Sequence, residues 1–509
     1  MTTRTQIRPA AGGRARWPAL LLHERARPDA VRDRPYAWRL AVATVCFGAF
    51  MGQLDASIVT LTYGGLRRGF DASPAAVEWV SLAYLLVLIA LLVPAGRLSD
   101  AFGRKLLYLY GFAVFTAASA VCGLAPSLLV LVLFRGVQAV GAALMQANSV
   151  ALVTTSAPRG RMRAALGVQA AAQALGLALG PTVGGVLVST LGWRWVFGVN
   201  VPIGVLALVA GHYLLPRTRE RRATGGFDRP GLVLLAAATG SGLLALSAAS
   251  GLPVPGWAVA ALFAVAVAAG WGFVTRQHRA RTPLLDLALV RERTVRLGLL
   301  GALSGYLVLF GPLVLVPVVL TASGVSELAA GLVLTALPAG FAVAATGADR
   351  VLPRGLSDRG RCVLGGGVLT AATAALLVVP LTKGPLAVLL AVVGLGLGTF
   401  TPANNAMVMA AIPRRSSGTG GGLVNMARGL GTALGVALVT LALHLGERHG
   451  AAGAPPGGTV PARWAVAVLV AASAVAAVAA WSGPRGAHAR AHPAGTGTAG
   501  GAGGSSRVG

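Results

Sequence analysis

Two charged side chains lie within segments that are otherwise apolar. Asp55 is in the run 38–61, and Arg135 is near the start of the run 128–155. An ionised carboxylate at the centre of a membrane helix costs about 2.5–3.5 kcal/mol on insertion scales, so an acid in that position usually has a function. Burial favours the neutral form of a carboxyl group, whereas a nearby cation favours the charged form. The position of Asp55 therefore predicts that its carboxyl group binds and releases a proton. The alternative is a structural ion pair without proton transfer.

A short segment between two apolar runs is unusually rich in charge. It reads GRLSDAFGRK, from Gly96 to Lys105. Asp100 in this segment can pair with Arg104 or cap the N-terminus of a neighbouring helix. Gly96 and Gly103 would permit a tight turn between closely packed helices. Contacts that form in one conformational state and break in another would make this segment a gating latch. The alternative is the general excess of basic residues in cytoplasmic loops, which explains the cations but neither Asp100 nor the glycines.

Glycines recur every four residues in another apolar run. Gly176, Gly180 and Gly184 share one face of a helix, within the segment GLALGPTVGG that ends at Gly185. A face of small residues lets two helices approach closely, and Pro181 removes a backbone hydrogen bond and can kink the helix. We expect this helix to lie between two moving parts and to control how a cavity there closes. The alternative is an ordinary packing face.

Membrane-spanning helices must position these residues. The chain has 509 residues, of which 55% are hydrophobic and only 11% are charged. About 20 apolar residues cross the hydrocarbon core of a bilayer as a helix, and a helix satisfies its own backbone hydrogen bonds there. The sequence therefore predicts an all-α integral membrane protein with 14 transmembrane helices. The apolar runs are 38–61, 76–96, 106–124, 128–155, 164–190, 196–215, 230–249, 254–274, 297–320, 328–348, 362–381, 385–411, 419–445 and 463–481.

The distribution of charge predicts the orientation of the chain. The formal net charge is +28, but the basic residues are spread over many short loops, which argues against a nucleic-acid-binding face. Placing both termini in the cytoplasm puts 35 of the 43 Lys and Arg residues inside and 6 outside. This bias follows the positive-inside rule. We therefore predict a multi-pass protein of the cell membrane with both termini cytoplasmic.

The chain contains an internal repeat. The tripeptide LSD recurs 258 residues later, so that Asp358 corresponds to Asp100. AQALGLALG at 172–180 corresponds to ARGLGTALG at 427–435, an offset of 255 residues with six of nine identical. Asp358 would then be the second-half counterpart of the latch.

The repeat predicts how the chain is divided. Two six-helix halves, 38–215 and 297–481, flank the segment 216–296, which holds two inserted helices and basic cytoplasmic loops. The segments 1–37 and 482–509 have the composition of disordered tails. Paired halves of this kind suit alternating access to a substrate site near the midplane of the bilayer.

Polar residues within the apolar runs are candidates for the wall of a substrate cavity. Lipid would not accept them all, so some must face the interior, with interhelical hydrogen bonds as the alternative. Arg428 aligns with Gln173 in the repeat, which would leave the second half with a buried cation suited to anionic or zwitterionic substrates. The candidates are Gln53, Tyr84, Gln138, Asn148, Gln173, Asn404, Asn425 and Arg428.

Several segments resemble motifs of one transporter family. GRLSDAFGRK resembles the loop after the second helix of the major facilitator superfamily, and FRGVQAVGAA at 134–143 resembles its fourth-helix motif. GLALGPTVGG resembles the fifth-helix motif of antiporters. QLDASIV at 53–59 and WRWVFGVNVPIG at 193–204 resemble the 14-helix drug:proton antiporters. The resemblance implies two six-helix halves plus two inserted helices, and it implies that Arg135 faces the first-half cavity and assists proton exchange.

Together these observations predict a proton-coupled antiporter. It would export small amphipathic drugs, antibiotics or secondary metabolites across the bacterial cytoplasmic membrane by alternating access. The alternative is an uptake symporter of the same superfamily for a small polar solute. The duplication and the lack of paired catalytic carboxylates disfavour a membrane-embedded enzyme or sensor.

The expected energy source is the proton gradient. The sequence has neither a GxxxxGK[ST] phosphate loop nor a His/Cys cluster with metal-ligand spacing, so we expect no cofactor, no metal and no enzymatic activity. A potential of 100 mV supplies about 2.3 kcal/mol for each charge that crosses. The expected partners are the lipid bilayer, a small amphipathic substrate and protons, without nucleic acid, and we expect a monomer.

Overall fold

The membrane helices dominate the structure, a computed structural model that describes residues 24, 27–32, 34–218, 228–249, 255–353, 355–449 and 459–483. Within these residues 14 helical segments are long and apolar enough to cross a membrane, and no β-strand is found among them. The predicted fold class and number of spans are therefore confirmed. Numbered α1 to α14, the segments are Ala37–Ile58, Pro74–Phe102, Arg104–Gly123, Leu128–Ser156, Met162–Thr190, Arg194–Leu214, Arg229–Ala249, Gly256–Arg279, Arg293–Ala322, Glu327–Val351, Asp358–Val378, Lys383–Ala411, Ser417–His449 and Thr459–Ser482.

Serine side chains begin four of these helices. Ser73, Ser127, Ser326 and Ser357 each accept a hydrogen bond from a backbone N–H in the first turn of the helix that follows. A serine in this position satisfies one of the four N–H groups that a helix start leaves unpaired. The starts of α2, α4, α10 and α11 are thus set locally by the sequence.

The two halves have the same internal packing. In the first half α5 packs against α1, α4 packs against α2 and α3, and α6 packs against α3. In the second half α13 packs against α9, α12 packs against α10 and α11, and α14 packs against α11. The halves meet along two equivalent pairs, because α2 packs on α13 and α10 packs on α5. This arrangement places the first, second, fourth and fifth helices of each half around the centre.

The inserted helices α7 and α8 lie at the periphery. They pack against each other, and α7 also contacts α2 and α13. On α8 the side chains of Trp257, Val267 and Trp271 are 75%, 73% and 73% exposed, which indicates a surface that faces lipid. These two helices therefore do not line the centre of the protein.

Part of the predicted N-terminal tail is packed against the helices. Glu24 is buried, and its carboxylate accepts hydrogen bonds from the Leu106 N–H at 3.3 Å and from the N–H and hydroxyl of Thr218 at 2.7 and 2.8 Å. Three donors fix this carboxylate at the ends of α3 and α6, so the prediction of disorder is wrong for this part of 1–37. Most of the remaining tail, and nearly all of 482–509, lies outside the described residues.

Candidate functional site

A buried ion pair joins α1 to α4. Asp55 Oδ2 lies 2.7 Å from Arg135 Nη1, and the two side chains are 0% and 1% exposed. Arg135 Nε also donates a hydrogen bond to the carbonyl oxygen of Val80 on α2, at 3.0 Å. Arg135 therefore does not extend to the membrane interface, and it binds Asp55, the acidic side chain within the first apolar run.

Three further side chains extend the hydrogen bonds of this pair into a small cluster. Gln138 Nε2 and, from α6, Asn200 Nδ2 both donate to Asp55 Oδ1 at 3.0 Å. Arg135 Nη1 donates to Gln138 Oε1 at 2.6 Å, and Gln138 Nε2 also donates to Ser119 Oγ on α3 at 2.7 Å. Hydrogen bonds from a cation and two amides stabilise the charged form of a carboxylate. The cluster therefore joins α1, α3, α4 and α6 around the Asp55 carboxylate.

Tyr84 on α2 separates the ion pair from the centre of the protein. The guanidinium carbon of Arg135 is 4.1 Å from the centre of the Tyr84 ring, and the same side chain lines a central cavity. The Tyr84 hydroxyl is buried and has no hydrogen-bond partner within the described part of the chain. A desolvated cation on an aromatic face is stabilised by about 2 kcal/mol. A movement of this ring would therefore act directly on Arg135.

The central cavity lies between the two halves. Residues of α1, α2, α4, α5, α9 and α13 line it, and its volume is about 50 Å³. Small-molecule sites usually measure roughly 300–1,000 Å³, so the cavity in this conformation is too small for a drug-sized molecule. Five of the eight predicted cavity residues line it, namely Gln53, Tyr84, Gln173, Asn425 and Arg428.

The other three predicted cavity residues lie elsewhere, so the prediction is corrected for them. Gln138 belongs to the ion-pair cluster described above. Asn148 Nδ2 donates to the carbonyl oxygen of Leu144 within α4, at 2.8 Å. Asn404 Nδ2 donates to the carbonyl oxygen of Gly298 at 2.9 Å and so joins α12 to α9. All three amides thus bond to protein groups and do not line the central cavity, and the Asn148 Oδ1 atom has no hydrogen-bond partner within the described residues.

Asp100 binds the other half at the end of the bundle that the charge distribution predicts to be cytoplasmic. Its carboxylate accepts hydrogen bonds from the N–H groups of Gly418 and Thr419, both at 2.7 Å, and from the Thr419 hydroxyl at 2.8 Å. These N–H groups begin α13, where unpaired amides and the helix dipole favour an anion. Arg104 Nε and Nη2 donate to Asp100 at 3.2 and 3.1 Å, and Nη2 also donates to the Arg414 carbonyl at 2.5 Å. Asp100 is fully buried, so water does not compete for these bonds.

The charged segment Gly96–Lys105 is not the loop that the sequence suggests. Only Gly103 separates α2 from α3, and its φ of 118° is a conformation that side chains rarely adopt. Gly96 lies inside α2, where an added Cβ would clash with the carbonyl oxygen of Gly418. The expectation of a turn is therefore correct for Gly103 and wrong for Gly96, which instead lets the two halves touch through their backbones.

An equivalent contact joins α5 to the second half. Arg163 Nη1 lies 2.5 Å from Asp358 Oδ1, and Arg163 Nε lies 3.0 Å from Asp349 Oδ1. Arg361 Nη1 is 2.9 Å from the same Asp349 oxygen. Each half thus supplies an aspartate that binds near the start of the other half's fifth helix. The side chains of Arg163 and Asp358 are 31% and 32% exposed, so solvent weakens this contact relative to that of Asp100.

The predicted glycine face of α5 packs against α1. A Cβ added at Gly176, Gly180 or Gly184 would clash with atoms of α1, whereas one added at Gly185 would meet nothing within 4 Å. The helix continues through Pro181 without interruption. The glycine face therefore holds two helices of the first half together, and α5 also contacts α10 of the second half.

Replacing Gly176 by alanine is expected to destabilise the protein by about 1–3 kcal/mol, the usual cost of overpacking. The new methyl group would meet the backbone carbonyl of Phe50, which cannot rotate away. Thermal unfolding in detergent measures the effect. Gly185→Ala is the matched control on the same helix, and its better helix propensity should leave stability unchanged or raised by up to about 1 kcal/mol. Equal unfolding temperatures for the two variants would contradict the packing described above.

Sequence reasoning did not single out Asn200 and Ser119. Asn200 had a usable signal, because it is a polar residue inside the run 196–215 and within the segment WRWVFGVNVPIG. A lone serine such as Ser119 has none, since a serine hydroxyl often bonds the carbonyl of its own helix. Arg163 and Asp349 lie at helix ends where charge is ordinary, so only the packing of the two halves brings them together.

Comparisons with known proteins identify the relatives of this chain. It is 31% identical to the tetracenomycin C resistance and export protein of Streptomyces glaucescens, over 91% of this chain and 89% of the relative. It is 32% identical to the methylenomycin A resistance protein of Streptomyces coelicolor, over 83% and 89%. It is 29% identical to the riboflavin transporter RibZ of Clostridioides difficile, over 78% and 86%.

The fold and the family model agree with these relatives. The crystal structure of the human organic anion transporter MFSD10 (TETRAN) matches 87% of this chain and 100% of that chain with a TM-score of 0.63 at 16% identity, which is a likeness of fold. The model of the Major Facilitator Superfamily matches residues 45–436. Since that match covers most of both six-helix halves, the chain belongs to the major facilitator superfamily.

Proposed function

We propose that this transporter is a proton-coupled antiporter that exports small amphipathic compounds by alternating access. The observation that carries the proposal is the position of the Asp55–Arg135 pair. It is buried inside the first half, and the Tyr84 ring contacts Arg135 and also lines the central cavity. A purely structural ion pair would gain nothing from lying beside a cavity, whereas a proton site that senses substrate must do so.

Protonation of Asp55 would release Arg135. A neutral carboxyl group no longer compensates the guanidinium, and breaking a buried ion pair by removing one partner costs about 3–5 kcal/mol. The cluster must therefore rearrange, with the Tyr84 ring as the remaining partner of Arg135 on the cavity side. A substrate that presses on Tyr84 would favour the opposite arrangement, with Arg135 on Asp55.

Proton and substrate would thus oppose each other's binding. By thermodynamic linkage, if a bound proton weakens substrate binding, the substrate weakens proton binding by the same factor. This mutual antagonism is the requirement for antiport. A symporter requires the reverse, namely that each ligand favours the binding of the other.

Loading from the cytoplasm would require both contacts between the halves to open. In this conformation the Asp100 contact holds the start of α13, and the Arg163–Asp358 contact holds the start of α5. With both termini cytoplasmic, these contacts would close the cavity toward the cytoplasm. Breaking them as a pair would be the step that exposes the cavity to substrate.

The names of the relatives support export and leave one alternative. Two Streptomyces relatives are named for resistance to tetracenomycin C and to methylenomycin A, and one of these names includes export. RibZ is named as a riboflavin transporter. An uptake symporter for a small solute is therefore the second candidate function.

Inside-out membrane vesicles with an acidified lumen test the direction and the coupling. Aromatic amphipathic compounds of anionic, zwitterionic, neutral and cationic type are added outside, at the cytoplasmic face, while a dye reports the pH of the lumen. We expect at least one compound to accumulate in the lumen and to release protons from it. If vesicles preloaded with a compound instead release it together with protons, the protein is a symporter and the proposal is wrong.

A further inference from the structure

Arg428 on α13 is a buried cation whose hydrogen-bond partners among the described residues are neutral. It is 3% exposed and lines the central cavity. Its Nη1 donates to Asn425 Oδ1 at 3.2 Å and to Gln173 Oε1 at 3.5 Å. Its Nε is buried and makes no hydrogen bond with the described residues. An unpaired buried charge is costly, so this guanidinium has an unmet preference for an anion.

Two other buried arginines, one beside the central cavity and one at the Asp100 contact, each form an ion pair with an aspartate. Arg135 is 2.7 Å from Asp55, and Arg104 is 3.1 Å from Asp100. Among the described residues no carboxylate lies within ion-pair distance of Arg428. Of these three arginines, only Arg428 lines the central cavity. The missing negative charge can therefore come from a molecule that enters the cavity.

Neighbouring groups orient Arg428 and provide an aromatic wall. The Tyr306 hydroxyl donates to Gln173 Oε1 at 3.1 Å, and the guanidinium carbon of Arg428 lies 5.1 Å from the centre of the Tyr306 ring. Tyr306 and Phe310 are stacked, with ring centres 6.2 Å apart and planes inclined by 21°. Both rings line the cavity. A ligand with a flat apolar body and an acidic group would contact these rings and the cation at the same time.

We propose that Arg428 binds an anionic oxygen group of the substrate, so that the cavity selects amphipathic aromatic anions over neutral and cationic compounds. The inference rests on the proposed function in one respect, because it takes the central cavity as the substrate site. Arg428 lies on the second half, and Asp55 and Arg135 lie on the first half. The two halves would then have separate tasks, the second binding the acidic group and the first binding the proton.

Matched pairs of compounds test the charge preference at equilibrium. Purified protein in detergent is titrated with 2-naphthoate, 9-anthracenecarboxylate and biphenyl-4-carboxylate, each compared with its carboxamide, and binding is measured by calorimetry. We expect at least one carboxylate to bind about tenfold or more tightly than its amide, the gain of a hydrogen bond to a charged group. A wild type that prefers none of the three carboxylates overturns the proposal.

Variants of Arg428 test whether this residue causes the preference for carboxylates over carboxamides. Arg428→Gln should lose the preference for the carboxylate. Arg428→Lys should retain a weaker preference, because a compact ammonium group replaces the planar guanidinium and its paired N–H donors. Arg67→Gln is the matched control, since Arg67 is exposed in the outer segment after α1, and it should bind like the wild type. A preference that persists in Arg428→Gln also overturns the proposal.

Two further readouts separate this inference from its rivals. If Arg428 were a structural residue, Arg428→Gln would lower the unfolding temperature of the ligand-free protein, whereas removal of an uncompensated cation should leave it unchanged or raise it. Calorimetry needs no proton gradient, so anion binding that depends on Arg428 can be found even if proton release fails. Proton release triggered only by neutral or cationic compounds would leave the proposed function intact and would overturn the role of Arg428.

Discussion

Replacing Asp55 by asparagine is expected to abolish substrate-driven proton release. The amide has nearly the same shape as the carboxylate, and it can still accept hydrogen bonds from Gln138 and Asn200, but it cannot bind a proton in the working range of pH. In acid-loaded inside-out vesicles the pH response to substrate should fall to that of vesicles without the protein. The same vesicles should still exchange labelled for unlabelled substrate, because exchange requires only that the halves move.

Controls separate the loss of coupling from the loss of folding. Asp55→Asn leaves Arg135 without a counter-charge, which should lower stability by about 3–5 kcal/mol, and the double variant Asp55→Asn/Arg135→Gln should recover part of it. Asp71→Asn is the matched control, because Asp71 is exposed and its backbone φ of 49° suits asparagine as well as aspartate. Undiminished proton release by Asp55→Asn would exclude this carboxylate from the coupling mechanism.

Replacing Asp100 by asparagine is expected to open the predicted cytoplasmic end of the cavity. The neutral amide turns charge-assisted hydrogen bonds into ordinary ones, and its NH₂ group would face the N–H donors of Gly418 and Thr419. The loss of about 1.4–2.8 kcal/mol from this contact would raise the population of the open conformation roughly 10- to 100-fold. Transport should slow, because the cavity closes again less readily.

Thiol labelling measures this opening. A cysteine replaces Thr432, which lines the cavity, in a chain whose three native cysteines, Cys46, Cys122 and Cys362, are replaced by alanine. A membrane-impermeant maleimide added to inside-out vesicles should react about tenfold or more quickly in the Asp100→Asn variant. Asp286→Asn is the matched control, because Asp286 caps a short helix before α9 and asparagine caps about equally well. Equal labelling rates would show that Asp100 does not hold the gate.

The Asp100 contact should matter more than its counterpart in the second half. Asp100 is fully buried and accepts from α13 and from Arg104, whereas Arg163 and Asp358 are each about a third exposed. Exposed ion pairs contribute about 0–1 kcal/mol. The two contacts predicted from the repeat therefore lie at equivalent positions in the two halves, but the Asp100 contact should contribute more to stability than the Arg163–Asp358 contact.

The sequence alone determined the number and approximate bounds of the helices, the relation between the halves, and which polar residues lie within the apolar helices. Each of these properties depends on a contiguous segment or on a repeat within the chain. A span is recognised because the length of an apolar run matches the thickness of a bilayer, and the repeat is recognised because the two halves of the chain align with each other. Asp55 and Arg135 were recognisable as candidates for the same reason, since each is a charge inside an apolar run.

The tertiary structure alone decided which of these residues touch. Asn200 reaches Asp55 over 145 positions of sequence, Asp100 reaches Thr419 over 319, and Gln138 faces the ion pair rather than the cavity. A helix that is apolar on all sides carries little information about which side faces its neighbours. The rotation of each helix about its axis follows from the packing of small residues such as Gly176 and Gly96 against other backbones. That packing is a property of pairs of helices, and no single segment of the chain contains it.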